Sequence, residues 1–289
     1  MKKVEAIGIG IGNAGREIGC GRAPYTLLNE LKDRRIDAQI FNYIGGRTEV
    51  ETMSRYFTNI AKKVSETLNE GKFPLALGGD HSCAIATWSG VYDYLKDQKK
   101  DMGLIWIDAH MDSHRPDTSD TGNIHGMPVA HLLGYGYEEL TSILNKNPKL
   151  KPENIVFFGI RSYEQPEREL LEKLGVKVYY QSDLTDRNFE DLFLQEFERL
   201  ERATEGNVGI SFDLDGLDPT NLDAVGTPVE NGIDPQVFYK TIEKINFHSL
   251  VCFEVAEYNP LIDKTKVSLN YMTKLLRLIE SSVKNLPQK

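Results

Sequence analysis

Short apolar runs and amphipathic stretches alternate along nearly the whole chain. VEAIGIG, AQIFNYI, FPLALGG, GLIWIDA, NIVFFGI, VKVYY, NVGISFDLD and LVCFEVAE are brief, apolar and often β-branched or aromatic, which predicts strands. Between or after them come RYFTNIAKKVSETLNE, CAIATWSGVYDYLKD, ERELLEKLG, FEDLFLQEFERLERA, PQVFYKTIEKI and KVSLNYMTKLLRLIESSV, whose apolar residues recur at helical spacing. Such alternation predicts an α/β fold: a mostly parallel sheet with helices on both faces, in three layers. No repeat, low-complexity segment or long linker divides residues 1–289, so one domain is expected. Residues 113–126 and 215–233 read as long loops, each directly after an acidic cluster.

Those clusters carry the chemistry. Asp108-Ala-His110-Met-Asp112 follows GLIWI, and Asp213-Leu-Asp215 follows NVGISF, so each sits where a buried strand should end. Residues two apart on a strand share a side, so Asp108 is expected to converge with His110, and Asp213 with Asp215. Carboxylates gathered at the carboxyl edge of a sheet repel one another unless cations join them. Mixed oxygen and nitrogen donors suit manganese or a similar divalent ion better than calcium. Carboxylates able to bridge suggest two metals, and two metals suggest an activated hydroxide and a hydrolase. A third cluster, Gly78-Gly79-Asp80-His81-Ser82, follows FPLAL. Its glycines allow a tight turn, Ser82 is placed to cap the next helix, and His81 is left at the mouth of the sheet. Beside the acidic clusters, His81 reads as a ligand.

Gly10-Ile-Gly12-Asn-Ala-Gly15 matches the glycine pattern of a dinucleotide loop, but that pattern needs a helix opening at the glycines. The chain continues REIGCGRAP, which delays the helix to about Ala23, and AQIFNY lacks the acidic residue that should close the second strand. The dinucleotide reading is rejected.

Composition narrows the class further. The net charge of −9 argues against nucleic acid and favours a small cationic substrate. Three cysteines (Cys20, Cys83 and Cys252), widely spaced and without a CxxC pair, fit a reducing compartment. MKKVEAIGIG reads as a first strand, with no signal peptide, and no run approaches the roughly 20 apolar residues of a membrane span. The expected location is the cytoplasm. His131, in VAHLLG, and His248 read as structural, and Cys83, Cys252 and Trp106 as core.

GGDHS, DAHMD and SFDLDGLDP, in that order and at these separations, resemble the ureohydrolase superfamily of arginases, agmatinases, formimidoylglutamases and relatives. Gly122-Asn-Ile-His125-Gly-Met-Pro128, Gly226-Thr227-Pro228 and Glu257-Tyr-Asn-Pro260 resemble arginase most. The resemblance implies a roughly eight-stranded parallel sheet, two Mn²⁺ ions (with Co²⁺ or Ni²⁺ as alternatives), and a homo-oligomer, trimer or hexamer. It implies one metal on His81, Asp108, Asp112 and Asp213, and another on Asp108, His110, Asp213 and Asp215, with Asp108 and Asp213 bridging. It further implies that a metal-bridging hydroxide hydrolyses L-arginine to L-ornithine and urea, Glu257 orients the guanidinium, and His125 shuttles a proton to the leaving amine.

The substrate end departs from the commonest arginase pattern. Asp112-Ser113-His114 stands where D-x-N is usual, Thr121 where serine is frequent, and Glu164 where an aspartate grips the α-amino group. Ser119, Thr121, Glu164 and Glu167 are expected to read an amino-acid head, with His114 and Thr227 lining the same site. Agmatine, a guanidino acid or formimidoylglutamate is the alternative substrate. A metal-binding but inactive scaffold is the remote alternative from a different class.

Overall fold

The computed structural model describes residues 1–15, 18–34, 36–47, 49–185, 187–220 and 222–287. Eight strands form one sheet: β1 (Val4–Gly10), β2 (Asp37–Asn42), β3 (Phe73–Leu77), β4 (Gly103–Ile107), β5 (Ile155–Ile160), β6 (Lys177–Tyr180), β7 (Val208–Asp213) and β8 (Leu250–Ala256). Their order is β2-β1-β3-β8-β7-β4-β5-β6, and every pairing is parallel. The helices are α1 (Ala23–Leu31), α2 (Val50–Asn69), α3 (Cys83–Lys96), α4 (Pro128–Leu132), α5 (Glu138–Thr141), α6 (Gln165–Leu174), α7 (Phe189–Ala203), α8 (Pro235–Ile242) and α9 (Val267–Lys284).

Strand alternation sorts the core into two layers. Ile105 and Ile107 of β4 pack with residues of α1, α7, α8 and α9, while Leu104 and Trp106 pack on the other face with α2, α3 and α4. The inner strands are buried along their whole length, so they read as continuous apolar runs. β2 lies at an edge and is largely exposed. Helix α1 opens at Ala23 with Pro24 in its first turn, well beyond the glycine motif.

The five central strands in space, β3-β8-β7-β4-β5, are scattered in sequence. Their carboxyl ends share one edge, with Ile107 level with Phe212 and Asp213 level with Ala256. Asp108 and Asp213, although 105 positions apart in the chain, therefore emerge side by side. A Cβ on Gly79 would lie 1.6 Å from the Ile11 carbonyl oxygen. Only glycine lets the β3 turn close against the loop after β1.

Helix α4 follows the His125 loop and is fixed by a buried histidine. His131 Nδ1 bonds the Met127 carbonyl at 2.8 Å, and Nε2 accepts the Tyr137 N–H at 3.1 Å. Burial lowers His131 to about 4, from an ordinary 6.5. The folded state thus resists protonation where the unfolded chain accepts it, and stability is lost as pH falls from about 6.5 to about 4. Denaturant melts should show the advantage of wild type over His131→Leu shrinking by about 3 kcal/mol between pH 7 and pH 4. A constant difference would mean that this histidine does not titrate as its burial requires.

Candidate active site

His81, Asp108, Asp112 and Asp213 converge at the carboxyl edge of the sheet. His81 Nδ1 lies 3.1 Å from Asp108 Oδ2, 3.2 Å from Asp112 Oδ2 and 3.0 Å from Asp213 Oδ2. None of these contacts has the angle of a hydrogen bond, and the buried Nδ1 has no hydrogen-bond partner. Three carboxylate oxygens around an orphaned ring nitrogen are a donor set shaped for a cation. A second group adjoins it. His110 Nδ1 is 3.4 Å from Asp108 Oδ1 and 3.2 Å from Asp215 Oδ2. Asp108 is common to both groups, and Asp213 joins the His81 group.

The convergence does not arise from strand alternation, as the sequence suggested. β4 ends at Ile107 and Asp215 lies in a 3-10 turn. Instead the carboxylates fold the backbone around themselves: Asp108 Oδ1 accepts His110 N–H at 2.7 Å, and Asp213 Oδ1 accepts Asp215 N–H at 2.8 Å. Aspartate side chains commonly hold the backbone two residues on in this way. Ser82 is a second correction. Its hydroxyl donates to Asp80 and makes no capping bond to α3. Asp80 also accepts Ala14 N–H at 3.0 Å, tying the β3 turn to the loop after β1.

Electrostatics matches a cation site. Burial alone would lower His81, but Asp108, Asp112 and Asp213 hold it well above its ordinary value. Burial and the neighbouring Asp108 raise Asp112 to about 6. In the metal-free protein, protons partly offset the clustered carboxylates, and a metal must displace them. Asp112 and Glu257 adopt positive φ (47° and 61°), a conformation that non-glycine residues adopt rarely and that gathers at functional sites.

Behind His81 runs a polar chain that sequence reading missed. His81 Nε2 is 2.9 Å from Ser211 Oγ, which donates to Glu254 Oε1 at 2.8 Å; Trp88 Nε1 donates to the same oxygen at 3.0 Å. With Ser211 giving its proton to Glu254, Nε2–H donates to Ser211 and Nδ1 is turned to the carboxylates. The signal was a glutamate inside the apolar strand LVCFEVAE. Trp106 is in the core as expected, yet its Nε1 donates to Asp108 Oδ2 at 2.9 Å and its indole stacks on His81 at 4.1 Å.

Glu257 and His125 form the far wall. Glu257 Oε1 accepts His81 N–H at 2.8 Å and lies 3.2 Å from His125 Nδ1, while the Cys20 thiol contacts Oε2 at 3.4 Å. Burial would lower His125, but Glu257 above all, with Asp112 and Asp80, raises it to about 9. A Cβ on Gly15 would sit 2.9 Å from this imidazole, so the loop after β1 closes on it by means of a glycine.

The family model described as "Arginase family" matches residues 13–279. An arginase of Brevibacillus brevis is 38% identical over 218 residues, covering 75% of this chain and 72% of that protein. An arginase of Bacillus subtilis (strain 168) is 40% identical over 205 residues, covering 71% and 67%. The chain belongs to the arginase family. The crystal structure of arginase from Bacillus subtilis superposes with a TM-score of 0.85 at 32% identity, covering 96% of this chain and 98% of that one. It is thus a ureohydrolase-type hydrolase with the family's α/β/α fold.

Arginase-family membership makes the mouth of the cleft the informative region. A cavity of about 510 Å³ runs from the metal groups past His114, Ser119, Thr121, Glu164 and Glu167. His114 Nε2 makes a close contact with Glu164 Oε2 and lies 3.5 Å from Glu167 Oε2; Nδ1 is 3.3 Å from Thr118 Oγ1. Glu164 is thus engaged by His114 in the free site. Glu167 lines the cavity, and its carboxylate also accepts Ser113 N–H at 3.1 Å and Glu164 N–H at 2.9 Å, the latter closing a capping box on α6. Thr227 lines the cavity but donates to Asp215 Oδ2 at 3.2 Å. Ser119 and Thr121 accept the N–H groups of Gly122 and Asn123, and their hydroxyls lie 3.5 Å apart, so one donates to the other and the second is left to donate into the cavity.

Proposed function

We propose that this chain hydrolyses L-arginine to L-ornithine and urea with two Mn²⁺ ions, for which Co²⁺ or Ni²⁺ can substitute. The observation that carries the reading is the orphaned Nδ1 of His81 ringed by three carboxylates, beside a second group that shares Asp108. His81, Asp108, Asp112 and Asp213 would hold one ion, and His110, Asp215 and the two shared aspartates the other. When bound, the ions supply an ionised water at working pH and offset the carboxylates.

The remaining work falls to the chain's own side chains. Glu257 presents a carboxylate to the flat fork of guanidinium N–H donors. Water adds to the guanidinium carbon, and the bond from that carbon to the alkyl-bearing nitrogen breaks, releasing urea and the amine. His125, charged through the working range, gives its proton to the departing amine. The Ser119–Thr121 hydroxyl pair donates to the substrate carboxylate and Glu164 accepts from the ammonium. Glu167 fixes the Ser113–His114 backbone beneath them, and Thr227 steadies Asp215. We place the activity in a single domain spanning the chain, in a cytoplasmic homo-oligomer (trimer or hexamer). Buried free cysteines fit a reducing compartment. Among the described residues no helix is long and apolar enough to cross a membrane.

Substrate choice tests the reading. A site that hydrogen-bonds an amino-acid head rejects a compound lacking it, so kcat/KM for arginine should exceed that for agmatine by at least about 10²-fold. Glu164→Ala should narrow that ratio by removing a charge-assisted contact. Equal turnover of arginine and agmatine would withdraw the substrate assignment and leave the family assignment in place.

A further inference from the structure

Arg161 follows β5 directly and is half-buried, yet none of its side-chain hydrogen bonds goes to a carboxylate. Nε donates to the carbonyls of Val229 (3.2 Å) and Glu230 (3.1 Å). Nη1 donates to those of Gly159 (2.9 Å) and Gly216 (3.2 Å), and Nη2 to those of Asp215 (2.7 Å), Leu217 (3.2 Å) and Val229 (2.8 Å). Five of these six carbonyls belong to the loop that begins at Asp215 and returns at Ile233. The Arg161 backbone N–H bonds Ala109 O at 2.9 Å, between Asp108 and His110. One residue therefore joins the two segments that supply His110, Asp108 and Asp215. A planar fork with five N–H donors in fixed directions can do this; an ammonium, with three, cannot reach so many acceptors at once.

We propose that Arg161 is the positioning residue of the His110–Asp215 half of the metal site, holding the Asp215 loop in its metal-ready form before any ion arrives. This rests on the proposed reading of Asp215 as a ligand. Ala109 N–H donating to Asp215 Oδ1 (3.2 Å), Thr227 donating to Asp215 Oδ2 and the buried Leu217, Leu222, Ala224, Val225 and Ile233 also hold the loop, while Arg161 gathers carbonyls from both of its limbs. The loop's own clasp consists of Asp218 Oδ2 accepting Gly232 N–H at 3.0 Å, and Asp218 N–H and Ile233 N–H bonding Ile233 O and Gly216 O at 2.9 and 3.1 Å. The His81 half is built separately, on the Ser211–Glu254 chain and the β3 turn. Loss of Arg161 should thus divide the site, with one ion retained and one weakened.

The test is Mn²⁺ binding to the metal-stripped full chain, together with amide hydrogen exchange of the metal-free protein, for wild type, Arg161→Lys and Arg161→Met. Lysine keeps the charge and loses the fork. Both variants should bind a first Mn²⁺ as wild type does and a second about 10–100-fold more weakly, the usual cost of losing a group that orients a ligand. Peptides from 215–233 should exchange faster without metal, while those from 78–83 should not change. Lysine behaving as wild type while methionine fails would make charge the cause and overturn the proposal, as would unchanged second-ion affinity and loop exchange in both. If neither variant folds, Asp218→Ala, which cuts the loop's clasp away from the metal groups, should give the same pattern a few-fold weaker. Its behaving as wild type overturns the proposal too. Should wild type bind fewer than two Mn²⁺, the metal reading fails, and loop exchange in the metal-free variants still decides what Arg161 does.

Discussion

Asp108→Ala should abolish most activity: urea release from arginine is expected to fall by about 10³-fold or more, equivalent to about 4 kcal/mol of lost transition-state stabilisation. Asp108 is the residue whose oxygens reach both His81 (3.1 Å) and His110 (3.4 Å), so its loss touches both metal groups at once. It also accepts from Trp106 Nε1 and His110 N–H, so the His110 turn loses its anchor. Elemental analysis should find metal content reduced at both positions, and the rise in melting temperature caused by added Mn²⁺ should disappear. Asp112→Ala is the contrast. Its carboxylate lies near His81, at 3.2 Å, and its removal should affect one ion more than the other. An Asp108→Ala protein holding two ions and retaining full rate would show that the shared carboxylate is dispensable.

His125→Asn is the second large effect. His125 is held at 3.2 Å by Glu257 and raised to about 9 by it against the pull of burial, so at neutral pH it carries the proton that the leaving amine needs. Asparagine keeps a hydrogen-bonding side chain and cannot transfer a proton. kcat should fall by roughly 10²–10⁴-fold, the worth of a general acid, with metal content unchanged. The sign of the pH effect follows from the raised value: the wild-type contribution is present below about 9 and is lost above it, whereas the variant should lack that limb. Unchanged kcat would return His125 to a packing role.

Local sequence carried much of this site because metal ligands here come in short clusters at strand ends. GLIWI is apolar throughout, and NVGISF is apolar but for Asn207 and Ser211, since their strands are buried on both faces, and the aspartates mark where the strands end. The other inner strands were visible for the same reason, whereas the edge strands β2 and β6 are not buried and showed only as short β-branched or aromatic runs. The geometry that joins the clusters was not. Ser211 and Glu254 meet His81 because β8 and β7 are inserted between β3 and β4, an order no local pattern encodes. Arg161 reads as one of many arginines until its five loop carbonyls surround it. Asp108 meets His110 through the pull of its carboxylate on the backbone two residues on, beyond the end of β4, and not through strand alternation. At the mouth, the sequence supplied residue types but not pairings: it could not say that Glu164 meets His114, that Glu167 caps α6, or that Thr227 serves Asp215.

The most direct test is urea formation from L-arginine by the purified protein, stripped of metal and titrated with Mn²⁺ while bound metal is counted. The expected result is no turnover without metal and a rate that climbs to its maximum as two ions bind per chain. Full-rate urea formation by protein shown by elemental analysis to be metal-free would contradict the account.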